Sequence, residues 1–203
     1  MTKSHSGPRV AALVGPYLSG KTSLLEEILH QCGALDRKGT AKDGNTVGDA
    51  APEARARRMS TELNIAGASY LDEAWTFLDC PGSVDLRQEA RNALMVADAA
   101  VVVCEPGRDR ALTAAPILKF LDRHHIPHVI FINKMDTAEA SVAETLEALQ
   151  SLSDSPLVLR EIPLRDGGEI TGHVDLISER AFRWQEGKPS ELMELPDSAR
   201  DRE

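Results

Sequence analysis

The chain has 203 residues, of which 42% are hydrophobic, 27% are charged and only 4% are aromatic, so its core must rest on aliphatic side chains. A net charge of −9 argues against independent nucleic-acid binding. No apolar run reaches the roughly 18 residues of a membrane span, and the polar start and the three widely spaced cysteines favour a reduced, cytoplasmic protein.

The first predicted elements are a strand, a helix and a long irregular segment. Residues 10–14 form an apolar run that is typical of a strand buried on both faces of a parallel sheet. Leucine and isoleucine at helical spacing then predict a helix that starts at Lys21 and is stopped by Gly33. Residues 34–62 have almost no bulky apolar side chain, so we expect a mobile loop there, with a short helix at about 52–58.

The middle of the chain repeats the strand and helix pattern. A hairpin is predicted at 63–78, further apolar strands at 99–104 and 128–132, and helices at about 86–95, 113–123 and 138–152. Strands that alternate with helices favour an α/β fold, with a mostly parallel sheet and helices on both faces. We expect a flexible N-terminus at 1–8 and one core domain over residues 9–152.

The pattern changes after residue 152. Strands are predicted at 157–159, 161–164 and 172–177, with a turn at Gly167 and Gly168, and the polar tail at 187–203 is expected to be loosely held. Residues 153–203 therefore read as the beginning of a second subdomain.

The segment after the first strand matches the phosphate-binding pattern G-x-x-x-x-G-K-[ST] at every fixed position. Its glycines let successive backbone N–H groups point at phosphate oxygens, and the positive end of the following helix adds to the attraction. Lys21 can reach the β- and γ-phosphates, and the Thr22 hydroxyl suits Mg²⁺. Kinases, ATPases and GTPases all use such a loop. The predicted phosphate-binding residues are Gly15, Pro16, Tyr17, Leu18, Ser19, Gly20, Lys21, Thr22 and Ser23.

The sequence Asn133-Lys134-Met135-Asp136 follows the strand predicted at 128–132 and indicates a guanine-reading loop. The Asp136 carboxylate can accept hydrogen bonds from guanine N1–H and the 2-amino group. Adenine lacks both donors and would leave the carboxylate unpaired, at a cost of about 1–3 kcal/mol or more. Asn133 would brace the neighbouring loops, and the Lys134 stem would lie across the ring.

The sequence Asp79-Cys80-Pro81-Gly82 follows the second strand of the predicted hairpin. Asp79 can hold Mg²⁺ through a bound water, and the Gly82 N–H can meet a γ-phosphate that the diphosphate lacks. A contact made in only one nucleotide state can drive a conformational switch.

These motifs, in this order, resemble a GTPase of the elongation factor G type. Residues 79–86 (DCPGSVDL) are similar to that family's D-T-P-G-H-V-D-F segment, and residues 127–136 are similar to its strand leading into N-K-M-D. The likeness covers about residues 9–184 and extends into the start of an inserted subdomain. It implies GTP or GDP and Mg²⁺ as ligands, a role in translation, and the ribosome as a partner contacted through domains absent from this chain.

Three departures from the family shape the expected activity. Ser83 stands where the family has a histidine that positions the attacking water, and such contacts are worth about 10²-fold or more in rate. Ser60 falls on the threonine that closes over Mg²⁺. The last core strand and the S-A-[KL] loop are not found before residue 203, as in a fragment or a truncated product.

We therefore expect slow GTP hydrolysis with Lys21, Gly82 and Ser83 as the catalytic positions, and with Thr22, Ser60 and Asp79 as the metal site. The alternatives are a sensor that binds GDP or GTP without hydrolysis and, more distantly, a kinase or ATPase with the same phosphate loop.

Overall fold

The structure is a computed structural model that describes residues 7–48, 54, 60–136, 141–185 and 187–195. Its larger sheet has five strands in the order β2-β3-β1-β4-β5. β1 pairs in parallel with β3 and β4, β4 pairs in parallel with β5, and only β2 runs antiparallel. The predicted α/β fold with a mostly parallel sheet is confirmed. The strands are β1 Arg9–Val14, β2 Asn64–Tyr70, β3 Glu73–Asp79, β4 Ala99–Cys104 and β5 His128–Ile132.

Helices cover both faces of this sheet. α1 packs Leu25 and Leu29 against one face, while α2, α4 and α5 pack against the other together with Ala111 of α3. Neighbouring residues of β1 face opposite sides, so Leu13 joins the first cluster and Val14 the second. The helices are α1 Lys21–Gln31, α2 Arg87–Leu94, α3 Arg108–Leu112, α4 Ala115–His124 and α5 Val142–Gln150, and one 3₁₀ turn, Val84–Leu86, precedes α2.

The edge strand β5, predicted as an apolar strand, is buried on one face only. Ile130 and Ile132 pack against the core on the side of α4 and α5, but Val129 is 62% exposed and Phe131 is 42% exposed. The apolar run gave the bounds of the strand correctly. Burial of its second face depends on a neighbouring element, which a local pattern does not report.

A second sheet follows, with four antiparallel strands in the order β6-β7-β8-β9. They are β6 Glu161–Asp166, β7 Glu169–Asp175, β8 Arg180–Arg183 and β9 Glu191–Met193. Gly167 and Gly168 form the predicted turn, with φ of 57° and 95°. The register shifts between Leu164 and Arg165, and a side-chain Nη2 of Arg165 donates 2.8 Å to the carbonyl oxygen of Met135 in the larger sheet's last loop.

Several predicted bounds need correction. Residues 157–159 form no strand, and the tail predicted to be loose contains β9. α3 was not predicted, α4 begins two residues later than expected, and α5 is shorter than 138–152, although residues 138–140 lie outside the described part. Of the helix predicted at 52–58, only Ala54 is described, and it is helical. Within the described residues, every helix is too short or too polar to cross a bilayer.

Candidate functional site

Four loops meet at one edge of the larger sheet. Because β1, β3, β4 and β5 run in the same direction, the segments that follow them all leave from the same side. These segments begin at Gly15, Cys80, Glu105 and Asn133. The sheet topology alone therefore gathers the three predicted motifs into one place.

The phosphate loop needs its two glycines for different reasons. A β-carbon at Gly15 would lie 2.1 Å from the carbonyl oxygen of Val103, so the loop passes too close to β4 for any side chain. Gly20 has a φ of 94°, and a β-carbon there would lie 2.2 Å from Nδ2 of Asn133. Gly20 also starts α1 with no side-chain cap, which leaves the first N–H groups of the helix available to an anion.

Lys21 lies at the centre of the site and is only 7% exposed. Its Nζ donates to the carbonyl oxygens of Gly15 at 3.2 Å and Pro16 at 3.0 Å, and burial lowers the pKa of the ammonium group. A β-carbon at Gly82 would lie 2.6 Å from this Nζ. The loop after β3 therefore rests directly against the phosphate loop, with the ammonium group between them.

The three predicted metal-binding residues are brought together. Thr22 Oγ1 donates to Asp79 Oδ2 at 2.7 Å and lies 3.3 Å from Ser60 Oγ. Asp79 is fully buried. Two hydroxyls and a carboxylate are hard oxygen donors, which fit Mg²⁺. Elsewhere among the described residues, no group of three or more His, Cys, Asp or Glu side chains offers a competing metal site.

The loop after β5 packs onto the phosphate loop. Asn133 Nδ2 donates to the carbonyl oxygen of Ser19 at 2.9 Å, and Lys134 Nζ donates to that of Leu18 at 2.7 Å. Lys134 has a left-handed backbone, with φ of 57°, which turns the chain at the end of the strand. The exposed Asp136 follows two residues later.

A cleft of about 250 Å³ joins these parts. It is lined by Tyr17, Leu18, Gly20, Lys21, Thr22, Ser23, Ala41, Ser60, Gly82 and Lys134. The first phosphate-loop residues, Gly15 and Pro16, lie beside the cleft, where their carbonyl oxygens accept hydrogen bonds from Lys21 Nζ. The buried Ser19 Oγ has no hydrogen-bond partner among the described residues. A polar atom of this kind in a phosphate loop fits an anionic ligand, since buried hydroxyls are normally paired.

Glu105 is a residue of the site that the sequence analysis missed. Its side chain is 19% exposed and accepts a hydrogen bond from Lys134 Nζ at 2.6 Å, while Arg110 Nε lies 3.6 Å away. The signal that could have found it is its position directly after the apolar strand β4, at the carboxyl edge of the sheet.

Ser83, expected at a catalytic position, has a structural contact. Its Oγ accepts a hydrogen bond from the Asp85 backbone N–H at 3.3 Å and so caps the 3₁₀ turn. Ser83 also lines a second cleft of about 310 Å³, together with Arg87 and Pro16, and this cleft shares Tyr17 and Gly82 with the first.

The cysteines behave as small hydrophobic residues. Cys80 and Cys104 are fully buried, and burial raises the pKa of each thiol to about 12. Neither is a reactive thiolate at neutral pH. Cys32 is half-buried, and all three are free.

Comparison with known proteins shows which family the chain resembles. A family model described as the elongation factor Tu GTP-binding domain matches residues 8–190. An elongation factor G-like protein of Synechocystis sp. is 49% identical over 93% of this chain. The mitochondrial ribosome-releasing factor 2 of Danio rerio is 32% identical over 82% of it.

A crystal structure of a Thermus thermophilus protein superposes with a TM-score of 0.89 and 31% identity over 96% of this chain. The chain covers 28% of the Synechocystis protein, 22% of the Danio protein and 29% of the Thermus chain. It therefore spans about a quarter of the length of these relatives.

Proposed function

We propose that this chain, which belongs to the family of elongation factor Tu GTP-binding domains, is a guanine-nucleotide switch. In this proposal it hydrolyses GTP slowly with Mg²⁺. Binding of GTP follows from the family, and the relatives named as elongation factor G proteins place it among the translational GTPases. The observation that carries the proposal is the cleft lined jointly by the phosphate loop, Ser60, Gly82 and Lys134.

In the proposed bound state, the backbone N–H groups before Lys21 hold the pyrophosphate, and Asp136 accepts from the guanine edge. The hydrogen bond from Asn133 to Ser19 fixes the distance between these two loops. The Lys134 stem, anchored at the Leu18 carbonyl and at Glu105, lies along the path of the base. Phosphate and base are thus held by two loops that are already fastened to each other.

The proposed metal site is Thr22, Ser60 and Asp79. A bound Mg²⁺ would offset negative charge on the β- and γ-phosphates. The residues of the chain contribute the rest: Thr22 and Ser60 supply hydroxyl oxygens, Asp79 supplies a carboxylate, and Lys21 places its ammonium group at the phosphates once it leaves the carbonyls of Gly15 and Pro16.

Hydrolysis would proceed by in-line attack of water on the γ-phosphate, with the developing charge stabilised by Lys21 and by the Gly82 N–H. Ser83 has neither the length nor the basicity of an imidazole, and its hydroxyl is engaged at Asp85. We therefore place the intrinsic rate about 10²-fold or more below that of a relative that carries histidine at this position.

The same contact of Ser83 favours a second candidate, a sensor that binds GDP and GTP without turnover. Single-turnover hydrolysis of GTP, with and without ribosomes, separates the two candidates. Measurable hydrolysis that ribosomes accelerate supports the slow switch. A negligible rate in both conditions leaves the sensor. The ribosome is proposed as a partner of the longer protein, through parts outside this chain.

Competition between nucleotides tests the assignment of the base. We expect excess GDP, but not ATP, to displace a fluorescent GDP analogue. Tighter binding of ATP would remove the guanine-reading role of Asp136 and return the chain to the kinases and ATPases.

Three free cysteines fit a cytoplasmic location, because thiols stay reduced there.

Replacing the base-reading carboxylate gives a sharper test. Asp136→Asn should weaken GDP binding and favour xanthosine diphosphate, because the new NH₂ group can donate to the 2-oxygen of xanthine but faces a hydrogen-bond donor on guanine. Asp72→Asn, in the exposed turn between β2 and β3, is the control and should leave both affinities unchanged. An unaltered preference in Asp136→Asn would contradict the proposed pairing.

A further inference from the structure

The cleft of about 250 Å³ at the phosphate loop has one wall that belongs to none of the motifs. Ala41, in the segment that follows α1, lines this cleft together with Thr22 and Ser23 from the first turn of the helix. The segment lies within residues 34–62, for which the sequence predicts a mobile loop. We name residues 39–48, all of which the structure describes, the wall loop.

The wall loop is bonded to α1 through Glu26, which is only 2% exposed. Its Oε2 accepts a hydrogen bond from Gly39 N and its Oε1 accepts one from Val47 N, each at 2.6 Å. A buried carboxylate is costly unless its oxygens are bonded, so this position requires both donors. Because the donors lie near the two ends of the loop, one side chain holds both ends. Glu26 follows Thr22 by one helical turn, on the same face of α1.

The wall loop is also fastened within itself. Thr40 N donates to Asn45 Oδ1 at 2.7 Å, and Thr40 Oγ1 donates to Asp43 Oδ2 at 2.7 Å. A β-carbon at Gly39 would lie 2.4 Å from the carbonyl oxygen of Asn45, so the two sides of the loop touch. Ala41 lies in the turn that these contacts close, which fixes the backbone on which it sits.

The far end of the wall loop rests on the larger sheet. Gly48 passes so close to the first residue of β2 that a β-carbon there would lie 2.6 Å from Asn64 Nδ2. Thr46, two residues earlier, is 8% exposed. Helix, sheet and internal hydrogen bonds all hold the loop through groups of the protein, so none of these contacts requires a particular nucleotide.

We propose that the wall loop is a fixed side of the nucleotide site, with the same position beside GDP and beside GTP, and that Glu26 is the positioning residue that slows release of either nucleotide. This inference rests on the proposed function, because it places a nucleotide in the cleft. Glu26 itself touches no nucleotide. It acts through Ala41, because a nucleotide that leaves past this residue has to displace the loop and break its hydrogen bonds to Glu26.

The first test compares Glu26→Gln with Glu27→Gln. Glutamine keeps one acceptor, but its NH₂ group faces a backbone N–H, so one of the two contacts is lost. With Mg²⁺ present, we expect Glu26→Gln to release a fluorescent GDP analogue and a fluorescent non-hydrolysable GTP analogue about fivefold faster. Association rates should change less than about twofold. Glu27 is half-exposed and bonded to Gln31 and Lys38, so its replacement should leave both rates as in the wild type.

The second test approaches the wall from inside the cleft. Ala41→Asp would add a negative charge beside the bound phosphates, so we expect affinity for both analogues to fall about fivefold at low salt and less as ionic strength rises. Ala74→Asp adds the same charge at an exposed position near the start of β3, whose other end reaches the site at Asp79. This control should bind both analogues as the wild type does.

Hydrogen exchange at the Gly39 and Val47 amides gives a readout that needs no nucleotide. Both should be protected in the wild type and exchange several times faster in Glu26→Gln, with or without GDP. Faster release of only one nucleotide would show that the loop switches and would overturn the inference. Unchanged release in Glu26→Gln, unchanged affinity in Ala41→Asp, or unprotected amides in the wild type would also overturn it.

A different result would remove the proposed function. Wild-type protein that binds no guanine nucleotide, although its Gly39 and Val47 amides are protected, would overturn the nucleotide site and, with it, the role of the wall loop in release. Nucleotide binding by the wild type with unprotected amides would overturn the role of Glu26 alone.

Discussion

Single contacts at the residue scale decide how the loop after β5 is held. Lys134 donates to both the Leu18 carbonyl and Glu105, so its ammonium group links the loops after β1, β4 and β5. Hydrogen bonds to charged groups are typically worth about 1.5–3 kcal/mol, and partial exposure reduces this value. The pair with Glu105 should therefore contribute to nucleotide affinity by orienting Lys134.

We predict that Glu105→Gln weakens GDP binding about fivefold, measured by isothermal titration at low salt. The amide retains an acceptor but loses the charge, and the effect should shrink as ionic strength rises. Arg110→Gln is the matched control, because its partner atom is 3.6 Å away and its side chain is 69% exposed. Equal losses in the two variants would mean that overall charge, and not the orientation of Lys134, sets the affinity.

At the scale of elements, the first turns of α5 are bonded to the loop that follows β4, next to the site. Ser141 accepts from Glu144 N while the Glu144 side chain accepts from Ser141 N, which together form a capping box. One turn later, the fully buried Thr145 accepts a hydrogen bond from Gly107 N at 2.9 Å, in the loop that follows β4. The start of α5 therefore supports the loop that carries Glu105.

We expect Ser141→Ala to lower the free energy of unfolding by about 1 kcal/mol, the usual worth of such a cap. For a chain of this size this corresponds to about 2–4 °C in Tm, measured by circular dichroism. Ser155→Ala, at an exposed loop position, serves as the control and should leave Tm within error. An unchanged Tm in Ser141→Ala would show that tertiary packing alone holds the start of α5.

Elements with a local signal were predictable, and those that depend on distant partners were not. β4 and β5 were predicted at their observed bounds because each is a continuous apolar run. α3, β8 and β9 are three to five residues long and rich in charge, and β8 and β9 exist only through pairing with their neighbours. The apolar run at 157–159 has no such partner among the described residues and forms no strand.

The same reasoning applies to the site. The phosphate loop and the loops at 79–82 and 133–136 are contiguous in sequence, so their residue types were informative by themselves. Glu105 accepts a hydrogen bond from Lys134, which is 29 positions away in the sequence. The buried Glu26 of α1 accepts from the backbone N–H groups of Gly39 and Val47, which are 13 and 21 positions away. No local pattern encodes such contacts. The division of the chain at residue 152 and the roles of individual site residues stay predictions.

At the scale of the whole molecule, the larger sheet is covered unevenly. α1 packs near β1, β2 and β3, and the same face of β5 presents Val129 and Phe131 to solvent at the edge of the sheet. An apolar edge strand with unpaired backbone groups is prone to pair with another chain.

We therefore predict that the 203-residue protein self-associates as its concentration rises, and that Val129→Lys suppresses this without loss of helical circular dichroism. Sedimentation velocity over a range of concentrations measures the effect. Ile65→Lys, at a 66% exposed position on the opposite edge strand β2, is the matched comparison. If Ile65→Lys suppresses association and Val129→Lys does not, the protein self-associates through β2 and the prediction for β5 is wrong.

The hydrogen bond from Arg165 to the Met135 carbonyl joins the second sheet to the loop after β5, in which we propose that Asp136 reads guanine. The strand register shifts between Leu164 and Arg165, and the carbonyl that Arg165 holds belongs to the residue between Lys134 and Asp136. A displacement of β6 would therefore act, through one guanidinium group, on the backbone next to Asp136. Under the proposed function, pulling the second sheet away from this loop would speed the release of nucleotide without any contact inside the cleft.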